Sequence, residues 1–112
     1  MERNELVLRA VVEKEGNGFS SICLDIDVAS CGSTIEEALE NLKEAVTLYL
    51  QYASENGKFE TMVPRPVPKN IMKHYNKKLR DKSSERQEHL RREPLLTNNF
   101  PCRVVLQPQY AF

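Results

Sequence analysis

Residues 30–50 read SCGSTIEEALENLKEAVTLYL. Apolar side chains recur at Ile35, Ala38, Leu39, Leu42, Ala45, Val46, Tyr49, Leu50 and, just beyond, Ala53. Each step is three residues or one, which keeps every one of them on the same side of a 3.6-residue helix. A helix start lies directly in front. Ser33-x-x-Glu36 and Thr34-x-x-Glu37 both fit a capping box, in which a hydroxyl accepts a free first-turn amide, so the boundary is set to within one residue. The opposite side carries Glu36, Glu37, Glu40 and Glu44, relieved by Lys43. Two of those acids fall in the first turn, where the helix dipole favours them. Gly57, in ENGK, is a plausible stop.

Upstream, ELVLRAVVEK (5–14) is rich in Val and Leu with partial alternation and predicts a strand. EGNG (15–18) predicts a turn, because its Gly and Asn residues tolerate positive φ. In FSSICLDI (19–26), Ser20, Ile22, Leu24 and Ile26 alternate with Phe19, Ser21, Cys23 and Asp25. The first set is mostly apolar and is expected to face the core of a hairpin. DVASC (27–31) predicts a shorter third strand. Downstream, VPRPVP (63–68) holds three prolines in six residues and can be neither helix interior nor central strand. It predicts a linker or an extended arm. Residues 69–93 favour helix locally. Ile71, Met72, Tyr75 and Leu79 share a face, but the next apolar residue is Leu90, so only the first part can dock firmly. PLLTNNFP (94–101) reads as a loop and CRVVLQ (102–107) as a short strand joining the sheet. The expected class is α+β: a small antiparallel or mixed sheet in the order β-β-β-α-(α)-β, with one main amphipathic helix on it. The expected organisation is a core at 1–62, a Pro-rich linker at 63–68, a basic helical segment at 69–93, and a loop and strand at 94–112 that complete the same domain.

With 112 residues, the chain has room for one modest core and not for a large enclosed active site. Its start shows no signal peptide, and no apolar run approaches the roughly 18 residues of a membrane span, so a soluble cytoplasmic protein is expected. The three cysteines, Cys23, Cys31 and Cys102, form no CxxC pair and no disulfide framework, which suits free thiols in a reducing compartment. A formal net charge of zero hides a division. Residues 1–63 hold five Lys/Arg and twelve Asp/Glu, a net of −7, whereas residues 64–112 hold eleven and four, a net of +7. Such a split implies two surfaces with different jobs, or one that folds against the other.

Catalysis needs converging groups, and few converge here. His74 and His89 stand fifteen residues apart in a polar segment, which is no ligand spacing on one helix. Asp25 and Asp27 stand two apart and could pair on one strand face, but a metal site needs further carboxylates with open coordination. There is no Gly-rich phosphate loop, no GxSxG and no HExxH. Cys31 precedes Gly32 at a helix start, where a thiolate can be stabilised, but without a partner base it reads as a small packing residue. The 69–93 segment, with nine Lys/Arg against four acids, is the candidate for phosphate contact through Lys73, Lys77, Lys78 and Arg80. A solvated helix face explains the same residues. Neither a ribbon-helix-helix nor a helix-turn-helix can be built from this element order.

The stretch CLDIDVASCGSTIEEALENLKEAVTLYLQ (23–51) resembles the N-terminal domain of HicB-type antitoxins. Cys23, Asp25, Asp27, Val28, Ser30, Gly32, Thr34, Glu37, Ala38, Leu39, Asn41, Lys43, Glu44, Ala45, Leu48, Tyr49 and Leu50 fit that family's pattern in register, and the preceding EGNGFSS hairpin fits as well. The likeness covers about residues 5–55. Leu24, Cys31 and Ser33 depart from the usual Pro, Gln or Glu, and Asp, and the basic stretch at 69–93 is atypical. The resemblance implies a truncated ribonuclease-H-like fold, no enzymatic activity, no cofactor and no metal. It also implies that the chain binds and masks a small HicA-like toxin, an mRNA interferase, as a homo-dimer or homo-tetramer. Its expected contacts are acidic: Asp25, Asp27, Glu36, Glu37, Glu40 and Glu44, because a toxin that grips RNA should be basic. The alternatives are a nucleic-acid-binding protein or orphan HicB-like scaffold acting through 69–93, and a residual metal nuclease using Asp25 and Asp27.

Overall fold

The computed structural model describes residues 5–82, 92–95, 100 and 102–112. They form an α+β domain. Strands β1 (Glu5–Glu15), β2 (Gly18–Cys23) and β3 (Val28–Gly32) precede helices α1 (Ile35–Glu55), α2 (Phe59–Met62) and α3 (Lys69–Lys82); β4 (Glu93–Pro94) and β5 (Arg103–Tyr110) follow. The five strands make one sheet in the order β3-β2-β1-β5-β4. β1 pairs antiparallel with β2 and parallel with β5, with Leu8 opposite Leu106. The sheet is therefore mixed, with the last long strand inserted beside the first.

Both faces of this sheet are covered, which the hairpin pattern did not anticipate. Side chains alternate along a strand, so Leu8, Ala10, Cys23, Val104 and Leu106 gather on one face under Leu42, Val46 and Leu50 of α1. Val11, Leu24 and Ala111 lie in a second cluster with Val67, and Ile22, Ile71, Met72, Tyr75 and Leu79 pack against it. Ser21 and Cys23, expected to point away from the core, are buried at 1% and 0% exposure. Ser21 survives there because its hydroxyl donates to the Ala38 carbonyl at 2.9 Å, which satisfies a polar group that would otherwise be stranded. β2 is thus covered on both faces: Ser21 and Cys23 are buried beneath α1, and half-buried Ile22 packs on the side where α3 docks.

Helix α1 buries Ala38, Leu42, Val46, Leu50 and Ala53. Burying Leu42, Val46 and Leu50 contributes about 6 kcal/mol, at ~2 kcal/mol per aliphatic side chain. Thr34 is its N-cap: Thr34 Oγ1 accepts from the Glu37 amide at 3.0 Å, and Glu37 Oε1 accepts from the Ser33 amide at 2.5 Å. Gly57, at φ 63°, follows the C-cap Asn56, and the chain reverses with Lys58 N donating to the Ala53 carbonyl at 2.7 Å.

The proline stretch 63–68 adds no strand or helix, but it is seated. Val63 and Val67 are buried, and the amides of Arg65 and Val67 donate to the carbonyls of Asp25 and Leu24 at 2.9 and 3.0 Å. α3 then docks through the four apolar residues that the sequence singles out. The second half of the 69–93 segment lies mostly outside the described residues. β5 runs further than CRVVLQ predicts, through Pro108. Alternate residues of a strand point their amides to opposite edges; Ala111 N donates to Val12 of β1, whereas the Val104 carbonyl accepts from Leu95 on the β4 side. Pro108, in phase with Val104, thus faces the β4 edge, and among the described residues the β4 pairing ends at Leu106. Its missing amide breaks no ladder bond among the described residues.

Candidate functional site

Asp25 lies in the turn at 24–27 that links β2 to β3. Arg9, on the adjacent strand, closes on it. The Arg9 amide donates to Asp25 Oδ2 at 2.7 Å, and Arg9 Nη2 donates to Oδ1 at 2.9 Å. The Asp25 side chain is 19% exposed. Its carboxylate continues the β1–β2 ladder past Cys23, and its hydrogen bond with the Arg9 guanidinium raises the Arg9 pKa above its ordinary value. Asp27 is exposed, with a left-handed φ of 55°, a conformation that Asp tolerates better than most residues. The two aspartates thus have different surroundings. Asp25 is held by Arg9, and Asp27 stands in solvent near the exposed Arg65, which donates through Nε to Tyr49 Oη at 2.9 Å. Among the described residues no three His, Cys, Asp or Glu side chains cluster as a metal would need.

The acidic residues of α1 also separate by role. Glu37 is used up in the cap. Glu40 pairs with Lys43 at 3.3 Å, and Lys43 reaches Glu93 of β4 at 3.5 Å. Glu36 and Glu44 are exposed, with no ion pair among the described residues. Glu40, Asn41, Lys43, Glu44, Thr47, Leu48 and Leu95 line a shallow groove along the outer side of the helix. Leu48 and Tyr52 stand out on the same helix at 60% and 53% exposure. Reading the sequence by its apolar face passes over both, yet the signal was there: Leu48 and Tyr52 fall out of phase with Leu42, Val46 and Leu50.

On α3, Lys73, Lys77 and Arg80 are exposed. Lys78 instead forms an ion pair with Glu13 of β1, and Tyr75 Oη donates to Glu13 Oε1 at 3.3 Å. Burial, then the Glu13 charge, pushes the Tyr75 phenol up. Of the four cations expected to meet phosphate, Lys78 thus helps clamp α3 to the sheet. His74 is exposed and edge-on to Tyr75; His89 lies outside the described residues.

All three thiols are free. Cys23 is buried between sheet and helix, and burial pushes its thiol up to about 12, so it is a packing residue and a poor nucleophile. Cys31, expected to pack, is exposed, and its carbonyl accepts from Asn41 Nδ2 at 2.8 Å. The space at the helix start belongs to Gly32, whose position leaves no room for a side chain. No described helix is long and apolar enough to cross a membrane. Compared with known protein families, with curated proteins and with solved structures, the chain matches none.

Proposed function

We propose that the chain is a HicB-like antitoxin that binds and masks a small, basic, HicA-like mRNA interferase. The observation that carries the reading is the outer face of α1, where Glu36, Glu40 and Glu44 are exposed at successive turns while the inner face is spent on the core. Of these, Glu36 and Glu44 have no ion pair among the described residues. Complementary charge speeds encounter with a basic RNA-binding surface and fixes its orientation. A hairpin, a third strand and a capped helix in immediate succession also agree with the resemblance that residues 23–51 carry. The protein would act by covering the toxin's RNA-facing side, with no covalent step.

The test is co-expression with a HicA-like protein encoded beside this chain. Stable co-purification and protection of RNA are expected. Glu36→Gln, Glu40→Gln and Glu44→Gln together should weaken the complex on the order of tenfold or more and flatten its salt dependence. A toxin that neither co-purifies nor loses activity would sink the proposal.

A second reading draws on α3, whose Lys73 and Lys77 are exposed one turn apart with His74 between them. It predicts retention on RNA or DNA with a steep salt slope. Neutralising Lys73, Lys77 and Arg80 should abolish that retention, and a chain that flows through regardless of salt would remove this reading.

A further inference from the structure

Leu48 breaks the pattern of its own helix. The inward side of α1 already carries Leu42, Val46 and Leu50, and Leu48 points away from it, 60% exposed. A single exposed leucine is ordinary. This one has company. Tyr52, one turn on, is 53% exposed, and Leu95 forms the opposite side of the groove that Leu48 lines. Glu44 lies one turn back and Glu40 two turns back along the same groove. Lys43 is fixed at its side by Glu40 and Glu93 and is only 15% exposed, so it leaves the Glu44 charge open. The outer face of α1 therefore has an acidic half and an apolar half, arranged along the axis at steps of ~6 Å.

We propose that this groove docks an amphipathic partner helix, with Leu48 as the anchor. Lys or Arg side chains on two successive turns of that helix would meet Glu40 and Glu44, and an apolar side chain on the next turn would enter between Leu48 and Leu95. The acids choose a basic partner and set its direction. The leucines supply the buried contact from which interface affinity mostly comes, surrounded by polar groups that exclude water. The inference deepens the antitoxin reading and rests on it for the class of partner: the toxin would present a basic helix ending in an apolar residue.

The experiment uses the full chain and a fluorescein-labelled helical peptide of about 18 residues, five turns in length, with Lys on two successive turns and Leu on the next. Binding is read by fluorescence anisotropy. The wild-type chain should bind, Leu48→Ala should weaken binding at least about tenfold, and Glu40→Gln with Glu44→Gln should weaken it and remove most of its salt dependence. Lys73→Gln with Lys77→Gln, on the other helix, should leave it unchanged. A chain that does not bind the peptide, or a Leu48→Ala variant that binds as tightly as wild type, overturns the proposal. The same variant is then tried against the HicA-like toxin. Toxin inhibited equally well by wild type and Leu48→Ala sinks the groove and spares the antitoxin reading. Peptide bound at the groove while the toxin is ignored sinks the antitoxin reading and spares the groove.

Discussion

Replacing Asp25 by Ala should destabilise the fold without bearing on chemistry. Two kinds of bond are lost. The Arg9 amide loses a charged acceptor at 2.7 Å, and a hydrogen bond to a charged, part-buried group contributes about 1.5 kcal/mol. The guanidinium pair at 2.9 Å joins side chains 42% and 19% exposed; screening by solvent discounts it to about 0.5 kcal/mol. The sum is about 2 kcal/mol. A chain of this length unfolds with an entropy near 0.24 kcal/mol per kelvin, so the midpoint should fall by about 8 °C. Asp25→Asn keeps an oxygen that can accept from the Arg9 amide and loses the charge, so it should cost about half as much. Thermal unfolding followed by circular dichroism, with Arg9→Ala closing a double-mutant cycle, measures all three. An Asp25→Ala midpoint within about 2 °C of wild type would refute the assignment of Asp25 as a strand-extending brace. So would loss of RNA cleavage or of partner binding in a variant whose stability is unchanged, since that would return Asp25 to a functional role.

Gly32→Ala places a Cβ 2.5 Å from the Ala38 amide nitrogen and 2.8 Å from the Glu37 carbonyl carbon, and forcing β3 away from the helix start should cost about 2–3 kcal/mol in urea unfolding. Gly16→Ala meets no atom within 4 Å but holds φ at 59°, so its cost should be nearer 1 kcal/mol; the reverse order would discredit the account of Gly32. Thr34→Ala removes the cap hydroxyl and should cost about 1 kcal/mol, with fraying of the first turn of α1 visible by hydrogen exchange. In the native protein a thiol reagent should modify exposed Cys31 quickly and buried Cys23 only after unfolding. The Cys23 pKa is raised from 9.0 to about 12 on folding, so the unfolded thiol ionises first. Its contribution is complete below about pH 9 and is lost as pH rises towards 12, by as much as about 1.4 kcal/mol per pH unit relative to Cys23→Ala. Parallel pH profiles for the two proteins would contradict that burial.

The sequence by itself determined the local elements. The helix start was legible because capping is a contact between residues three or four apart, and geometry only had to choose Thr34 over Ser33. The hairpin and the docked half of α3 were legible for the same reason: periods of 2 and 3.6 are written in neighbouring residues. The outward placement of Glu36, Glu40 and Glu44 followed from that phase. Tertiary structure decided everything that depends on residues far apart in the chain. No spacing rule joins Arg9 to Asp25, which meet only where β1 passes the end of β2. Lys78 looked like a free cation until Glu13, 65 positions away, claimed it. β2 could not disclose that both of its sides are covered, because alternation marks two faces and says nothing of what lies over them. Pro108 could enter a long strand because its amide side faces an edge that β4 does not cover among the described residues. Leu48 stood out of phase in the sequence, but only the packed domain sets it in a groove with Leu95, 47 positions away, because burial belongs to the assembled surface and not to the residue.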